Sequence, residues 1–275
     1  MNYLREMQYA LVDNTRAEAT KGLKGICPGC GLIVRAKCGS KVIHHWAHEN
    51  RVQCDSWWEN ETAWHRAWKE LFPAECREVT HHAVDGEIHR ADIKTPSGIY
   101  IEVQHSQITD LERLARERFY KNLVWIVDAK PFRNNFRLAH MLPHHDSDIA
   151  QDLVWYKAEW GLEGTISGLF YRKSQNPDAS SWVYVEGTHH IERELKLAYR
   201  GQHQYVWKKP RTTWIEATVP VYLDFGEEWL CRLEQYGNTN LKILRLISKV
   251  QFLRDCMLEV DVKKIADNPF KLKNS

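Results

Sequence analysis

A chain of 275 residues with 43% hydrophobic side chains can bury a sizeable core and has room for two domains. Its net charge of +2 is too small to predict nucleic-acid binding by itself, so attraction to a phosphate backbone has to come from local patches. Seven cysteines, an odd number, together with the lack of a secretory leader and of a membrane-length apolar run, argue against a disulfide framework and against a membrane protein, and point to a cytoplasmic location.

The first chemical signal along the chain is Cys27-Pro28-Gly29-Cys30, a tight turn, followed after fourteen residues by His45-Trp46-Ala47-His48. A Cys-x2-Cys knuckle with a histidine pair has zinc-type spacing, and Cys27, Cys30, His45 and His48 would close a tetrahedral shell. A closed shell predicts a structural Zn²⁺. His44 competes as a ligand, and Cys38 or Cys54 can replace one histidine. Arg35, Lys37 and Lys41 lie between the ligand pairs on what would be a small rigid hairpin suited to a phosphate backbone.

Residues 56–71 read as an amphipathic helix, with Trp57, Trp64, Trp68 and Leu71 on one stripe. Glu61, His65 and Lys69 run beside that stripe at i, i+4 spacing and can lean towards a site at the edge of the core; an exposed ladder is the commoner use of that spacing. Next come two short segments of strand composition joined by Thr95-Pro96-Ser97-Gly98, which is turn chemistry, so a β-hairpin is expected. Alternation puts Glu102 and Gln104 on one face, and a five-residue loop over 95–99 sets Asp92 opposite Glu102. Two converging carboxylates are ligands of the kind Mg²⁺ accepts. Thr109 with Glu112 makes a capping box for a helix to about Tyr120, with Leu111, Leu114, Ala115 and Phe119 for packing and Arg113, Arg116, Arg118 and Lys121 for solvent or phosphate. Residues 123–128 are a continuous apolar run, as in a strand covered on both faces.

The Asp92 and Glu102-Val103-Gln104 pattern resembles the core of the PD-(D/E)XK nuclease superfamily, with Gln104 where the motif has lysine. With Glu61-Thr62-Ala63-Trp64-His65, Arg90-Ala91-Asp92-Ile93, Ile101 to Ile108, Arg116 with Tyr120, and Trp125-Ile126-Val127, the chain over roughly 20–130 resembles the nuclease-like domain of the competence protein CoiA family, in which glutamine is usual at that position. The resemblance implies a metal-dependent nuclease fold and a role in processing or recombining DNA. It carries over Asp92, Glu102 and Gln104 as the core site, with Glu61 and His65 as additions. Lys69 or Lys94 are candidates for the charge that Gln104 lacks.

The expected organisation is α/β: a segment with a zinc hairpin over 1–55, a PD-(D/E)XK-type core over 56–130, an irregular linker over 131–152, and a mixed α+β accessory domain over 153–275. In the last, residues 153–156, 182–185 and 219–223 read as strands and 240–256 as a helix. Lys208, Lys209 and Arg211 beside Trp214 form a basic loop, read either as backbone neutralisation with base stacking or as a surface turn before a core tryptophan. The expected cofactors are Mg²⁺ or Mn²⁺ at Asp92 and Glu102 and a structural Zn²⁺. The expected partner is DNA, contacted by Arg113, Arg116 and the basic loop, with homo-oligomerisation left open. The competing function is a catalytically silent, zinc-containing module that binds DNA or assists recombination.

Overall fold

The computed structural model describes residues 7–40, 43–49, 54–55, 57, 61–83, 86–159, 166–178 and 183–257. The chain forms two compact units: the first runs to Trp125 and takes up the chain again at Cys256, and the second runs from Ile126 to Asp255. Both are mixed α/β. Among the described residues no helix is long and apolar enough to cross a membrane. Lys41, Trp182 and residues 258–275 lie outside the described residues.

The first unit opens with β1 (Tyr9–Val12), β2 (Thr15–Glu18), β3 (Lys24–Ile26), β4 (Ile33–Lys37) and β5 (His45–His48). They form an antiparallel sheet in the order β2-β1-β3-β4-β5. Asp13 and Asn14 make the β1–β2 turn, both with positive φ, as a two-residue hairpin of matching twist requires and as these residue types tolerate. The sheet packs on Met7, Ala10, Val34 and Trp46, and the Trp46 indole N–H donates to the Ala17 carbonyl at 2.9 Å. Gly25 is required by close approach, because a Cβ there would lie 2.9 Å from the Leu11 carbonyl oxygen.

The helix expected from residue 56 starts later: α1 spans Ala63–Glu70. Thr62 has extended backbone geometry and its hydroxyl accepts the His65 N–H at 3.1 Å, which caps the helix and stops it from running backwards. Trp57 is therefore off the helix and stacks on His89 with ring centroids 3.3 Å apart, while Trp64 and Trp68 do fill a buried stripe. Ser56, Trp58, Glu59 and Asn60 lie outside the described residues.

Next come β6 (Arg77–His82), β7 (Ile88–Lys94), β8 (Tyr100–Gln104), α2 (Asp110–Phe119) and β9 (Leu123–Asp128), whose residues from Ile126 on belong to the second unit. β7 pairs antiparallel with both β6 and β8, and β9 lies beside β8. The register Lys94↔Tyr100 and Ile93↔Ile101 leaves a five-residue connection and sets Asp92 across from Glu102. Thr109 caps α2 by accepting the Glu112 N–H at 3.2 Å. The inward face of α2 is not the apolar one expected: Leu111 is 82% exposed, whereas Arg113, Arg116 and Glu117 are buried.

In the second unit, β10 (Phe136–Met141), β14 (Gln202–Trp207), β15 (Val221–Asp224), β16 (Trp229–Gln235) and β17 (Lys242–Ser248) pair antiparallel in the order β10-β14-β17-β16-β15. A second sheet holds β11 (Leu153–Lys157), β12 (Ile166–Arg172) and β13 (Glu186–Gly187). Short helices α3 (Asp148–Asp152), α4 (Glu192–Ala198), α5 (Thr212–Ile215) and α6 (Lys249–Cys256) complete it. Three expectations are corrected. The passage read as an irregular linker over 131–152 contains β10 and α3. The helix read over 240–256 is β17 followed by α6: Ile243, Leu244, Leu246 and Ile247 sit in a strand paired on both edges, where a near-continuous apolar run fits as well as it fits a helix. The strand read over 182–185 is likewise absent at 183–185, and β13 begins at Glu186.

The first unit is tied together at Glu78. Its carboxylate accepts the Gln8 N–H at 2.9 and 3.1 Å and the Tyr9 N–H at 3.3 Å from the N-terminal sheet, and the Lys69 ammonium at 2.8 Å from α1. Glu78 itself has φ +45°, a strained conformation for a non-glycine residue, which these contacts sustain. Burial pushes its carboxyl up, but Lys69 and Arg90 outweigh that and hold it down at about 2. Because the folded value is depressed, the stabilisation is full above the ordinary carboxylate range and disappears as pH falls through about 2. Glu78→Gln should therefore lose about 2–4 kcal/mol at pH 7. The gap from wild type in urea unfolding should shrink at pH 3.5, and a pH-independent gap would contradict this account.

Candidate functional site

A small cleft in the first unit, about 40 Å³, has room for two or three water-sized bodies. Strand alternation delivers Asp92 from β7 and Glu102 and Gln104 from β8. α1 delivers His65 and Lys69, Glu61 enters just ahead of the α1 cap, and Asp55, Glu78, Arg90 and Arg116 complete the wall. Asp55 and Glu78 carry no motif of their own, Arg90 entered the sequence reading only as part of Arg90-Ala91-Asp92-Ile93, and the only sequence hint to Asp55 is its place next to Cys54.

Asp92 Oδ2 accepts the Val103 N–H at 2.9 Å, and Oδ1 lies 2.8 Å from His65 Nε2, in contact but out of hydrogen-bond alignment. Glu102 Oε2 accepts from Arg116 Nη1 at 2.8 Å, while Oε1, although buried, has no hydrogen-bond partner among the described residues. Burial pushes the Asp92 carboxyl up, but His65, Lys69 and the Val103 N–H prevail and hold it well below the usual range. Burial first, and then the Asp92 charge, push Glu102 the other way, to about 8, against the pull of Arg116. Five carboxyl groups face three cations in the cleft, and Arg66 adds a fourth from its rim, so one carboxyl group is left without a compensating cation, in keeping with the raised value of Glu102. This donor set, two carboxylates with one orphaned oxygen, fits a divalent cation with oxygen preference.

The other expected residues are placed as follows. Glu61 lines the cleft, but its carboxylate is engaged by Lys69 and by Arg66, the latter at 2.9 and 2.5 Å. Gln104 is buried and its amide donates to the Ser106 carbonyl at 3.2 Å. Lys69 is 2% exposed and faces the cleft, whereas Lys94 lies over the Tyr100 ring and outside it. Arg113 and Arg116 are corrected as phosphate contacts. Both are 3% exposed, Arg113 pairing with Glu117 at 2.8 Å and Arg116 with Glu102 and Glu112, so they brace carboxylates from inside. In the second unit Lys208, Lys209 and Arg211 are exposed, but Trp214 is buried at 5% and is core, which removes the base-stacking reading.

The second candidate centre is the group Cys27, Cys30, His48 and Cys54, whose ligand atoms all lie within 4.8 Å of one another. Cys54 replaces the expected His45. In β5, His45 and His48 are an odd number of residues apart and so point to opposite faces, and the His45 Nδ1 meets the Ile43 carbonyl at 2.8 Å instead. His44 and Cys38 are outside the group, the Cys38 thiol donating to the Ala19 carbonyl at 3.4 Å. Gly31, with φ +71°, closes the knuckle by donating its N–H to the Cys27 carbonyl at 3.0 Å. The Cys27 and Cys54 sulfurs are 3.9 Å apart. A tetrahedron with Zn–S bonds of roughly 2.3 Å has an edge of about 3.8 Å, so the spacing fits zinc. The hydrogen bond from Cys54 pulls the Cys27 thiol far down and pushes Cys54 up, while burial pushes Cys30 up. The three sulfurs cannot all ionise without a cation among them. A Cys3His set that closes on itself suits a structural ion.

Two outcomes follow from this geometry. Metal analysis should find about one zinc per chain. Cys54→Ser should lose that zinc and His45→Ala should keep it; the reverse pattern would restore the His45 ligand. The second outcome concerns Glu102. Its folded value lies above the unfolded one, so ionisation favours unfolding, and in buffer without added divalent cation the fold should weaken as pH rises from about 4.5 towards 8. Glu102→Gln should then melt several degrees above wild type at pH 8.5 and near it at pH 5. Equal melting temperatures at both pH values would refute the strain.

Residues 11–56 match the family model of the competence protein CoiA N-terminal domain. No curated protein and no solved structure matches the chain. The matched span runs from β1 to just past Cys54 and holds all four residues of the zinc-type cluster. Over this span the chain carries a domain similar to the competence protein CoiA N-terminal domain.

Proposed function

We propose that this protein belongs to the CoiA family and is a divalent-metal-dependent DNA nuclease, with β7, β8 and the helices beside them forming a core of PD-(D/E)XK type in which Gln104 stands for the motif lysine. The observation that carries the reading is the buried Glu102 Oε1, left without a hydrogen-bond partner among the described residues, beside a second carboxylate in a cleft where carboxyl groups outnumber cations. A pure binding surface for DNA has no use for converging carboxylates, which repel phosphate. The order helix, strand, strand, helix, strand around Asp92 and Glu102 supports it too, with β6 as an extra edge.

Asp92 and Glu102 would hold one Mg²⁺ or Mn²⁺, which when bound neutralises charge on a phosphate oxygen and acidifies a water. The chain's own residues prepare that place. Arg116 fixes Glu102 from α2, and His65 with the Val103 N–H fixes Asp92. Gln104 can orient a water by hydrogen bonding but supplies no charge. Lys69 supplies positive field from α1, although Glu61 and Glu78 share it. The zinc-type cluster holds the fold, and the exposed Lys208, Lys209 and Arg211 are available for backbone contacts.

The test is cleavage of linear, circular and single-stranded DNA in Mg²⁺, Mn²⁺ and Ca²⁺. Asp92→Asn and Glu102→Gln should each lower cleavage by orders of magnitude while DNA affinity is kept or rises. Ca²⁺ should support binding with little cutting. If wild type leaves every nucleic acid intact in Mg²⁺ and Mn²⁺, or Asp92→Asn cuts as fast as wild type, the catalytically silent DNA-binding module takes the place of the nuclease.

A further inference from the structure

One peptide bond separates the zinc-type cluster from the acidic cleft. Cys54 completes the Cys3His set, and Asp55, the next residue, lines the cleft. Both carboxylate oxygens of Asp55 are committed. Oδ1 accepts from His89 Nδ1 at 2.9 Å and from the Trp57 N–H at 2.9 Å, and Oδ2 accepts the Arg90 N–H at 3.0 Å. Arg90 is two residues before Asp92 on the same strand, so that bond sets the height of the strand that presents Asp92. The Trp57 carbonyl in turn accepts from Arg116 Nη2 at 2.5 Å, and Arg116 holds Glu102. From one carboxylate, two short chains of hydrogen bonds and backbone reach both proposed ligands.

Charge runs along the same line. The Arg90 guanidinium is within electrostatic reach of Cys27, Cys54 and Asp55, and its Nε lies 3.9 Å from Glu78. A zinc ion with three thiolates and a neutral histidine carries a net single negative charge, which Arg90 faces. A cluster of neutral thiols does not offer that charge. The neighbouring ring contact is tight: His89, whose second nitrogen is 2.8 Å from Glu87, lies parallel to Trp57 within 7°.

We propose that Asp55 is a positioning residue that makes the alignment of Asp92 and Glu102 depend on the zinc ion. With Cys54 held in the cluster, Asp55 locks Arg90 and Trp57. With the ion gone, Cys54 and Asp55 are released together and the carboxylates lose their common aim. The consequence for cleavage rests on the nuclease reading, whereas the positional link rests on geometry alone.

Two readouts test it on the zinc-loaded full-length protein: hydrogen exchange of peptides covering 88–104, and Mn²⁺ affinity by loss of the free-ion resonance signal. Asp55→Asn, and Asp55→Ala as the stronger change, should keep one zinc per chain by metal analysis. Each should raise exchange at the Arg90 and Val103 amides and weaken Mn²⁺ binding by about tenfold or more, the usual effect of losing a group that orients a metal ligand. Stripping zinc from wild type should produce the same two changes, and stripping it from Asp55→Ala should add little to either. The proposal is overturned if both Asp55 variants, with zinc bound, exchange and bind Mn²⁺ as wild type does, or if zinc-stripped wild type does so. Raised exchange in the variants of a protein that never cuts nucleic acid supports the link and sinks only the nuclease reading.

Discussion

Buried charge is the constraint on which the first unit depends. Lys69, Arg113 and Arg116 are buried with Glu78, Glu102 and Glu117, and Arg90, Asp55, Glu61 and Asp92 are largely so; a desolvated ion is tolerated only beside its opposite. Helices therefore bring cations to the strand carboxylates Glu78 and Glu102. α1 supplies Lys69 to Glu78, and α2 supplies Arg116 to Glu102. The compensation is complete at Glu78, which is held ionised, and incomplete at Glu102, which is not. The difference separates two uses of the same chemistry: a saturated carboxylate ties elements together, and an unsaturated one waits for a ligand.

The same constraint explains why α2 misleads when read as a pattern. Its sequence offers Leu111 and Leu114 for packing and arginines for solvent, yet Leu111 is out and Arg113 and Arg116 are in. The inward face is set by Glu102 and by Glu117, which also accepts the Trp125 indole N–H at 3.3 Å. An arginine with a carboxylate waiting inside is a core residue, and period alone cannot find that partner. The β7–β8 hairpin was legible because alternation and a five-residue turn are local, and local rules fix which carboxylates face each other. The zinc-type cluster was legible in part. The knuckle and His48 follow from spacing, but the choice of Cys54 over His45 comes from the strand that the histidine pair occupies and from a return of the chain.

Longer-range features were less legible. Glu78 carries no motif and sits in strained backbone, and its importance arises from chain segments about seventy residues apart that meet there. In the second unit, a short apolar run such as 241–247 satisfies helix and strand alike until its neighbours are known. Two flanking antiparallel strands decide it. Trp214 beside a basic loop is ambiguous for the same reason, because whether an aromatic ring is core or platform depends on what covers it.

Gln104 is where these arguments meet. A lysine at that position would be 2% exposed and would bring another buried cation to a strand end where the Gln104 amide now donates to the Ser106 carbonyl. The cleft already has a buried lysine from another element, Lys69, within electrostatic reach of Asp92. Placing the cation on α1 rather than on β8 lets one side chain do two things: its field falls on the carboxylates, and its bond to Glu78 holds α1 to the N-terminal sheet. A glutamine on β8 then keeps the hydrogen-bonding capacity of the position without adding a desolvation cost, so the uncharged residue is compatible with a charged site.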